Sequence, residues 1–304
     1  MALANPPSTG RRRSCLSVPA SSDRMLAKAA TLGADEVVVD LEDGVAAGAK
    51  EAARLACAAF LDTPDLPSVA VRVNAPGTPW CHADIVAMTQ TADRPLSIVV
   101  PKVESPGDLE FVERLLAGAE TAARRRHPVR VQALIETAGG LARVYDIAAA
   151  SERLDALIVG YADLAASLGR TYPSALGLDT WLPAQERVLT AARARGLQAI
   201  DGPYLGTDAG DGFRAAATRA RSLGFDGKWA VHPSQLGALN ELFQPSEDEV
   251  THACAVIDTL RRAERADGRG AVAMDGEMLD EALRASALRV LARAGIPSTG
   301  SERE

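Results

Sequence analysis

Eight short apolar runs recur along the chain, and each is closed or followed by residues that can carry charge or form hydrogen bonds. The polar residues after seven of the runs are Asp40, Arg72, Lys102, Glu136, Asp163, Asp201 and His232, whereas the first run leads into Ser21 and Ser22. Helix-like stretches separate the runs, and this alternation favours parallel pairing of the strands. A closed barrel of eight parallel strands places the carboxyl ends of all strands at one mouth. The sequence therefore predicts an α/β fold, a (β/α)₈ TIM barrel, with these polar residues at its mouth.

A doubly wound open sheet is the alternative architecture, because it is also built from alternating strands and helices. Such a sheet usually carries a glycine-rich first turn, but the turn here is Val18-Pro19-Ala20-Ser21 and contains no GxGxxG pattern. An open sheet also needs no eighth unit, whereas eight units in about 230 residues are the usual size of the barrel. The barrel is therefore the better interpretation.

We expect three segments in the chain of 304 residues. Residues 1–12 are predicted to form a flexible N-terminal arm, residues 13–245 the barrel, and residues 246–304 a C-terminal extension. Three consecutive arginines, Arg11 to Arg13, lie where the arm meets the barrel segment, and no apolar segment of a secretory signal follows them. The extension lies outside the eight repeated units, and we interpret it as a lid segment or an oligomerisation arm.

The extension itself has a simple predicted order. Apolar residues at helical spacing predict one long helix over 246–265. The dipeptide Asp275-Gly276 separates two short stretches and predicts a tight hairpin turn. A last helix is predicted over 281–294, directly after Asp280.

Composition excludes several classes of function. The formal net charge of −7 argues against a nucleic-acid-binding surface. No apolar run approaches the roughly 18 residues of a membrane span. The four cysteines are widely spaced and form no CxxC pair, so we interpret them as reduced thiols without a metal. We therefore expect a cytoplasmic protein that binds neither nucleic acid nor a membrane.

Two acidic residues follow consecutive strands, and they are the first candidates for chemistry. Glu136 and Asp163 would converge at the barrel mouth, where two carboxylates with open coordination positions suit Mg²⁺. Acidic residues that begin helices can also act as helix N-caps, so capping is the alternative role for both.

Arg72 is the second candidate, because it lies within a buried strand and needs a counter-charge there. One interpretation is a clamp on a substrate carboxylate, for which the planar guanidinium is suited. The alternative is an internal ion pair with Asp40 or Glu42. The segment from Asp40 to Asp43 holds three acids in four residues, and we expect at least one of them to order a loop or to pair with Arg72 or Lys102.

Basic residues on the first helix and a histidine after the eighth strand are weaker candidates. Arg24 and Lys28 are four residues apart and share a helix face, which could hold a phosphate or simply be solvated. His232 could act as an acid or base, or could bond the backbone of its own loop.

Ordered motifs from Arg13 to Ala294 resemble the citrate lyase β-subunit-like family of the HpcH/HpaI aldolase superfamily, which includes malyl-CoA, β-methylmalyl-CoA and citramalyl-CoA lyases. The motifs that carry the resemblance are Arg13-Ser14, Val18-Pro19, Asp40-Leu41-Glu42-Asp43-Gly44-Val45, Val71-Arg72-Val73-Asn74, Pro101-Lys102, Glu136-Thr137-Ala138, Ala162-Asp163-Leu164, Gly227-Lys228, His232-Pro233-Ser234-Gln235 and, near the end, Gly276, Met278 and Asp280.

The resemblance implies a barrel with a C-terminal extension, assembled as a homotrimer or hexamer. It implies that Glu136 and Asp163 bind Mg²⁺, with Glu136 also near the substrate, and that Arg72 binds the carboxylate of the oxo-acid fragment. The residues implied for the rest of the substrate site are Arg24 and Lys28 near the CoA phosphates, with Val231 and His232. Asp280 resembles the family's acid or base, which in this family reaches the active site of a neighbouring subunit.

The implied activity is Mg²⁺-dependent carbon–carbon bond cleavage in a 3-hydroxyacyl-CoA, which gives an acyl-CoA and a small 2-oxo acid. One alternative is the β subunit of citrate lyase, which acts on citryl groups held by an acyl-carrier protein. A second alternative is hydrolysis of the thioester of malyl-CoA. A non-catalytic scaffold is a further alternative, which the retention of every proposed reactive side chain disfavours.

Overall fold

The structure is a computed structural model that describes residues 10–170, 178–268, 270–274 and 276–296. The chain divides into two compact units, residues 1–240 and residues 241–304. The boundary therefore lies five residues before the one expected from the sequence, within the tenth helix. Each unit is described here by itself.

Eight parallel strands of the first unit close into a barrel in chain order, and the eighth strand pairs with the first. The strands are β1 (Ser14–Pro19), β2 (Glu36–Asp40), β3 (Ser68–Arg72), β4 (Ser97–Val100), β5 (Arg130–Ile135), β6 (Leu154–Val159), β7 (Gln198–Asp201) and β8 (Gly227–Ala230). The predicted (β/α)₈ architecture is confirmed, and the open-sheet alternative is wrong because the sheet has no free edge.

Helices follow the strands as connecting elements. They are α1 (Asp23–Ala29), α2 (Lys50–Leu61), α3 (Cys81–Thr89), α4 (Pro106–Ala123), α5 (Ala138–Ala142), α6 (Val144–Ile147), α7 (Tyr161–Ser167), α8 (Leu182–Ala194), α9 (Asp211–Leu223) and α10 (Leu236–Leu242). The apolar face of helix α3 packs inward through Cys81, Ile85 and Met88. In the part of the chain that the structure describes, no helix is long and apolar enough to span a membrane.

The barrel interior is apolar at mid-height, because alternate residues of each strand point inward. One buried cluster draws side chains from all eight strands: Cys15, Val38, Ala70, Val99, Leu134, Ala156, Ile158, Ile200 and Trp229. This layer separates a polar floor at the amino ends of the strands from the polar mouth at their carboxyl ends.

Arg12 closes the floor of the barrel. Its side chain is only 5% exposed and forms ion pairs with Glu36 at 2.9 Å and Asp155 at 3.1 Å. It also donates hydrogen bonds to Gln198 at 2.7 Å and Ser97 at 3.3 Å. The expectation that residues 1–12 form a flexible arm is therefore wrong for Arg12, because a guanidinium that pairs with four strands is fixed in place.

The second unit is a small helical hairpin with an inserted β-ribbon. Helix α11 (Glu247–Asp267) packs on α12 (Glu281–Ala294), and the antiparallel strands β9 (Val272–Met274) and β10 (Glu277–Leu279) lie between them in the chain. The predicted turn falls on Asp275, outside the described residues, and on Gly276, whose φ of +88° is readily adopted by glycine. A buried core of apolar residues from α11, β10 and α12 holds the unit together.

The buried ion pairs of Arg12 lead us to expect a large loss of stability when this residue is replaced. We expect Arg12→Met to lower the free energy of unfolding by about 3–5 kcal/mol, because it leaves Glu36 and Asp155 buried without their cation. Urea unfolding at pH 7 measures this change. The matched control is Arg11→Met at an exposed position, where a change within about 0.5 kcal/mol is expected. Equal effects of the two substitutions would contradict the assignment of Arg12 to the floor.

Candidate active site at the barrel mouth

Four acids and one lysine meet at the carboxyl ends of β2, β4, β5 and β6. The Lys102 Nζ forms a close ion pair with Glu42 and lies 3.5 Å from Asp43 Oδ2 and 3.6 Å from Asp163 Oδ1. The backbone N–H of Lys102 donates to Glu136 Oε1 at 2.9 Å. Lys102 is therefore the cation around which this group of acids, here called the mouth cluster, is arranged.

The backbone of Lys102 is strained. Its φ of +52° lies in the left-handed region, which is uncommon for a residue with a side chain and costs about 1–2 kcal/mol. This conformation directs the Lys102 N–H toward Glu136 while the ammonium reaches Glu42, Asp43 and Asp163. Strain of this kind persists only where surrounding contacts hold it, and it is common in functional sites.

Glu136 is the most deeply buried acid of the mouth cluster, with 2% of its surface exposed. Burial raises the pKa of Glu136 to about 8, and the negative charges of Glu42 and Asp163 add to that rise. Lys102 and Arg72 lower the pKa without compensating for burial. The carboxyl group thus lies in a place where further positive charge would be stabilising.

Gly160 makes room for Glu136. A Cβ atom at residue 160 would lie 2.5 Å from the Glu136 Cβ and 2.7 Å from its Oε2. The Gly160 N–H donates to the carbonyl of Ile135 at 3.0 Å, so the end of β6 is fixed beside the residue that precedes Glu136. The absence of a side chain at Gly160 is therefore what allows Glu136 to lie against the turn that leads to Asp163.

The capping alternative for the two carboxylates is wrong. Thr137 is the N-cap of α5, and its side chain accepts from the Gly140 N–H at 3.0 Å. Gly160 is the N-cap of α7, and Asp163 lies in the first turn of that helix. Neither Glu136 nor Asp163 is used to cap a helix.

Arg72 makes the internal ion pairs that the sequence left as an alternative. Its Nε and Nη2 donate to the two oxygens of Asp40 at 2.8 and 2.7 Å, and its Nη1 lies 2.9 Å from Glu42 Oε2. Burial alone would raise the pKa of Asp40, but the bonds from Arg72 and two backbone N–H groups lower it below its usual value. The role of Arg72 toward a substrate stays a prediction.

The loop after β2 is ordered by its own charges, as expected. Asp40 accepts backbone N–H bonds from Glu42 and Gly44, both at 2.8 Å. The ammonium of Lys50 donates to the carbonyls of Leu41 and Glu42 at 2.8 and 2.7 Å. These bonds hold Glu42 in the mouth cluster. Neither Lys50 nor Lys102 was proposed as a site residue from the sequence.

Four predicted substrate-site residues line one pocket of about 320 Å³ between β1, α1 and the end of β8. They are Arg24, Lys28, Val231 and His232, and most of the other lining side chains are apolar. His232 Nδ1 lies 2.9 Å from Ser234 Oγ and accepts from the Ser234 N–H at 3.3 Å, so the histidine bonds its own loop as the alternative interpretation expected. The pocket thus combines an apolar wall with two exposed cations.

Asp280 belongs to the second unit and is exposed there. Its carboxylate accepts from the backbone N–H groups of Ala282 and Leu283 at 2.9 and 3.2 Å, so it is the N-cap of α12. Neighbouring apolar side chains are also exposed, with Met278 at 66% and Leu283 at 38%. Asp280 therefore lies at a fixed helix start beside two exposed apolar side chains.

The mouth cluster fits a divalent cation with few protein ligands. Among the described residues, no three histidine, cysteine or acidic side chains enclose a metal position. Mg²⁺ does not need such a cage, because it keeps several waters and often takes only one or two carboxylates. The negative charge of Asp163 acts on Glu136, and the space beside Gly160 accommodates the Glu136 carboxylate. The donor set therefore suits Mg²⁺.

The fit at Gly160 can be tested by a small substitution. Gly160→Ala places a methyl group against the Glu136 side chain, so we expect the free energy of unfolding to fall by about 1–3 kcal/mol. We also expect the variant to lose the rise in melting temperature that Mg²⁺ binding gives to the parent chain. Differential scanning calorimetry with and without Mg²⁺ measures both. Gly118→Ala is the control, because nothing lies within 4 Å of its Cβ position in helix α4. An unaltered Mg²⁺ response in Gly160→Ala would contradict the described packing.

Comparison with solved structures finds the same fold in known proteins. CitE from Mycobacterium tuberculosis, solved in complex with magnesium, acetoacetate and coenzyme A, is 33% identical, covers 95% of this chain and 99% of its own, and superposes with a TM-score of 0.76. A citrate lyase from Burkholderia xenovorans at 24% identity has a TM-score of 0.82 over 94% of this chain and 93% of its own, which shows the shared fold.

Curated relatives cover nearly the whole chain. An L-malyl-CoA/beta-methylmalyl-CoA lyase from Cereibacter sphaeroides is 36% identical over 296 residues, covering 91% of this chain and 93% of the relative. A (3S)-malyl-CoA thioesterase from the same species is 37% identical over 286 residues, covering 93% and 94%. The HpcH/HpaI aldolase/citrate lyase family matches residues 13–233, and the chain therefore belongs to that family.

Proposed function

We propose that this chain is a Mg²⁺-dependent carbon–carbon lyase that cleaves a 3-hydroxyacyl-CoA of the malyl type into an acyl-CoA and a small 2-oxo acid. The observation that carries the proposal is the convergence of Glu136, Asp163 and Arg72 at one barrel mouth. The relatives named as malyl-CoA lyases and the neighbour solved with magnesium and coenzyme A support it.

Glu136 and Asp163 would hold the cation, which when bound supplies Lewis-acid polarisation of substrate oxygens. Their own contribution is to place that charge at the carboxyl ends of β5 and β6, where Glu136 is shielded from water. Lys102 and the acids beside it fix the loops around this position. The mouth cluster thereby concentrates negative charge. A substrate of the malyl type is itself an anion, so a bound cation is needed to offset its repulsion by these acids.

Arg72 would orient the carboxylate of the oxo-acid fragment. Two of its five N–H donors bond Asp40, and its Nη1 lies 2.9 Å from Glu42 Oε2 in an ion pair, so donors of the guanidinium remain that no described residue accepts from. The fixed guanidinium can therefore add a substrate carboxylate without losing its internal pairs. This arrangement also explains how the two interpretations of Arg72 are compatible.

Proton transfer at the acyl carbon is the step that we assign to Asp280. In cleavage, the β-hydroxyl group loses its proton to a base, and its carbon–oxygen bond becomes the carbonyl of the 2-oxo acid as the bond between the α and β carbons breaks. The electron pair of that bond passes to the thioester enolate, whose α carbon then takes a proton from Asp280. In synthesis, the same carboxyl group removes the α proton. Because Asp280 lies outside the barrel, we propose that it serves the mouth of a neighbouring copy in a homotrimer or hexamer. The exposed Met278 and Leu283 beside it support such a contact.

The coenzyme A portion would occupy the pocket between α1 and β8. Arg24 and Lys28 are suited to its phosphates, and Val231 with the neighbouring apolar wall is suited to uncharged parts of the ligand. Binding energy from this distant portion supports orientation at the reacting bond. We further propose a cytoplasmic location, where acyl-CoA substrates and reduced thiols coexist.

Thioester hydrolysis is the second candidate, because a thioesterase relative is as similar to this chain as the lyases are. It requires water at the thioester carbon and leaves the carbon skeleton intact. A carrier-bound citryl substrate is a third candidate, supported by the neighbours described as citrate lyase β subunits. The products distinguish all three reactions.

The decisive assay incubates the purified chain with Mg²⁺ and malyl-CoA, and in parallel with citramalyl-CoA and β-methylmalyl-CoA. We expect 2-oxo acid and acyl-CoA in equal amounts, with loss of turnover after chelation. Asp280→Asn should lower kcat by about 10²–10⁴-fold without loss of stability, because asparagine caps helices as well as aspartate does. The control is Glu281→Gln, the next exposed residue.

Two results would contradict this account. Free malate and CoA without glyoxylate would identify a thioesterase in place of a lyase. Full turnover by Asp280→Asn would remove Asp280 from the proton transfer while leaving the metal site intact.

A further inference from the structure

A buried polar network lies beside the mouth cluster and has no part in the chemistry described above. Tyr161 Oη donates a close hydrogen bond to Asp201 Oδ1, and the ammonium of Lys228 pairs with Asp201 Oδ2 and donates to the Gly202 carbonyl. Gln185 Nε2 donates to Tyr161 Oη at 2.7 Å and to Asp201 Oδ1 at 3.2 Å. We call these four side chains the Tyr161 network; they join α7, α8, β7 and β8.

All four members are withdrawn from solvent. Asp201 is 1% exposed, Lys228 2%, Gln185 4% and Tyr161 8%. Burial, with the charge of Asp201, raises the pKa of the Tyr161 hydroxyl far above its usual value, so this group remains a donor. A buried ion pair of this kind adds little net stability compared with well-packed apolar residues. The ion pair is therefore better explained by the side-chain positions that it fixes than by the stability that it adds.

The ring of Tyr161 is held as firmly as its hydroxyl. It packs against Trp181 with ring centroids 5.0 Å apart, and the Lys228 ammonium lies 5.7 Å from its centroid. A Cβ atom at Gly202 would come within 2.9 Å of the ring and 2.1 Å of the Val159 carbonyl. The side chain thus fills a slot that β6, β7 and α8 leave for it.

This fixed side chain belongs to the first residue of α7, two residues before Asp163. Gly160 is tied to β5 by its N–H bond to Ile135, and Leu164, the residue after Asp163, is fully buried. The turn that carries Asp163 is therefore held toward β5 through Gly160 and toward β7 and β8 through Tyr161. Glu136 leaves β5 one residue after Ile135, so the same turn sets the separation of the two carboxylates.

We propose that the Tyr161 network positions Asp163 relative to Glu136 and thereby tunes the affinity of the barrel mouth for Mg²⁺. This inference rests on the proposed metal role of the two acids. Tyr161 is a positioning residue, since it acts through the backbone of α7 and does not touch the carboxylates of the mouth cluster in the described contacts.

Tyr161→Phe tests the proposal, because it removes one hydroxyl and keeps the ring and its contact with Trp181. We expect the Mg²⁺ Kd, measured by isothermal titration calorimetry, to rise about tenfold or more, as is common when a supporting residue of a metal site is changed. The Mg²⁺ activation curve should shift to higher concentration, with kcat at saturating Mg²⁺ nearly unchanged. If Tyr161 had a purely structural role, the substitution would change the melting temperature but neither the Mg²⁺ Kd nor the Mg²⁺ activation curve.

The matched control is Tyr145→Phe, the same change at a 45% exposed tyrosine of α6, where the Mg²⁺ Kd should not move. Gln185→Met provides a second variant, because it removes the donor to Tyr161 Oη, and a smaller rise in Kd is expected. Unchanged Kd in Tyr161→Phe and Gln185→Met, with normal binding by the parent chain, would overturn the positioning role alone. Absence of Mg²⁺ binding by the parent chain would overturn the proposed metal site as well.

Discussion

Crowding of negative charge at the barrel mouth is the constraint on which the rest of the site depends. Glu42, Asp43 and Asp163 lie around the Lys102 ammonium, and Glu136 accepts from the Lys102 backbone N–H. Arg72 adds a second positive charge beside Glu42 but also pairs with Asp40, so two cations face five acids. The strained backbone of Lys102 and the missing side chain of Gly160 are both consequences of bringing these groups together. A divalent cation of suitable size would complete the balance.

Buried acids at the two ends of the barrel differ in how they are paired. At the floor, the Arg12 guanidinium donates to Glu36, Asp155, Gln198 and Ser97, so both buried acids there have a hydrogen-bonded cation. At the mouth, Asp40 is matched by Arg72, but burial and the charges of Glu42 and Asp163 keep the pKa of Glu136 raised in spite of Lys102 and Arg72. A buried carboxyl group with a raised pKa at the carboxyl ends of barrel strands is a candidate ligand for a cation.

The sequence predicted the barrel and the meeting of Glu136 with Asp163 because parallel strands bring their carboxyl ends to one side by geometry alone. It did not predict the burial of Arg12, since a basic residue near the chain start resembles a solvated arm until its partners on four strands are known. The bounds of α3 (Cys81–Thr89) could not be read from the sequence, because a short helix whose faces are mixed gives a weak periodic signal. The left-handed backbone of Lys102 and the Tyr161 network depend on contacts between distant segments, which one-dimensional patterns do not contain.

The central claim is that Glu136 and Asp163 together hold one divalent ion, and binding of Mn²⁺ as a substitute for Mg²⁺ tests it most directly. Electron paramagnetic resonance of free Mn²⁺ should show one ion bound per chain, with competition by Mg²⁺. Glu136→Gln and Asp163→Asn should each weaken that binding by at least tenfold, whereas Asp43→Asn should weaken it less, because Asp43 is the exposed acid of the mouth cluster. Full-affinity binding by both Glu136→Gln and Asp163→Asn would contradict the account.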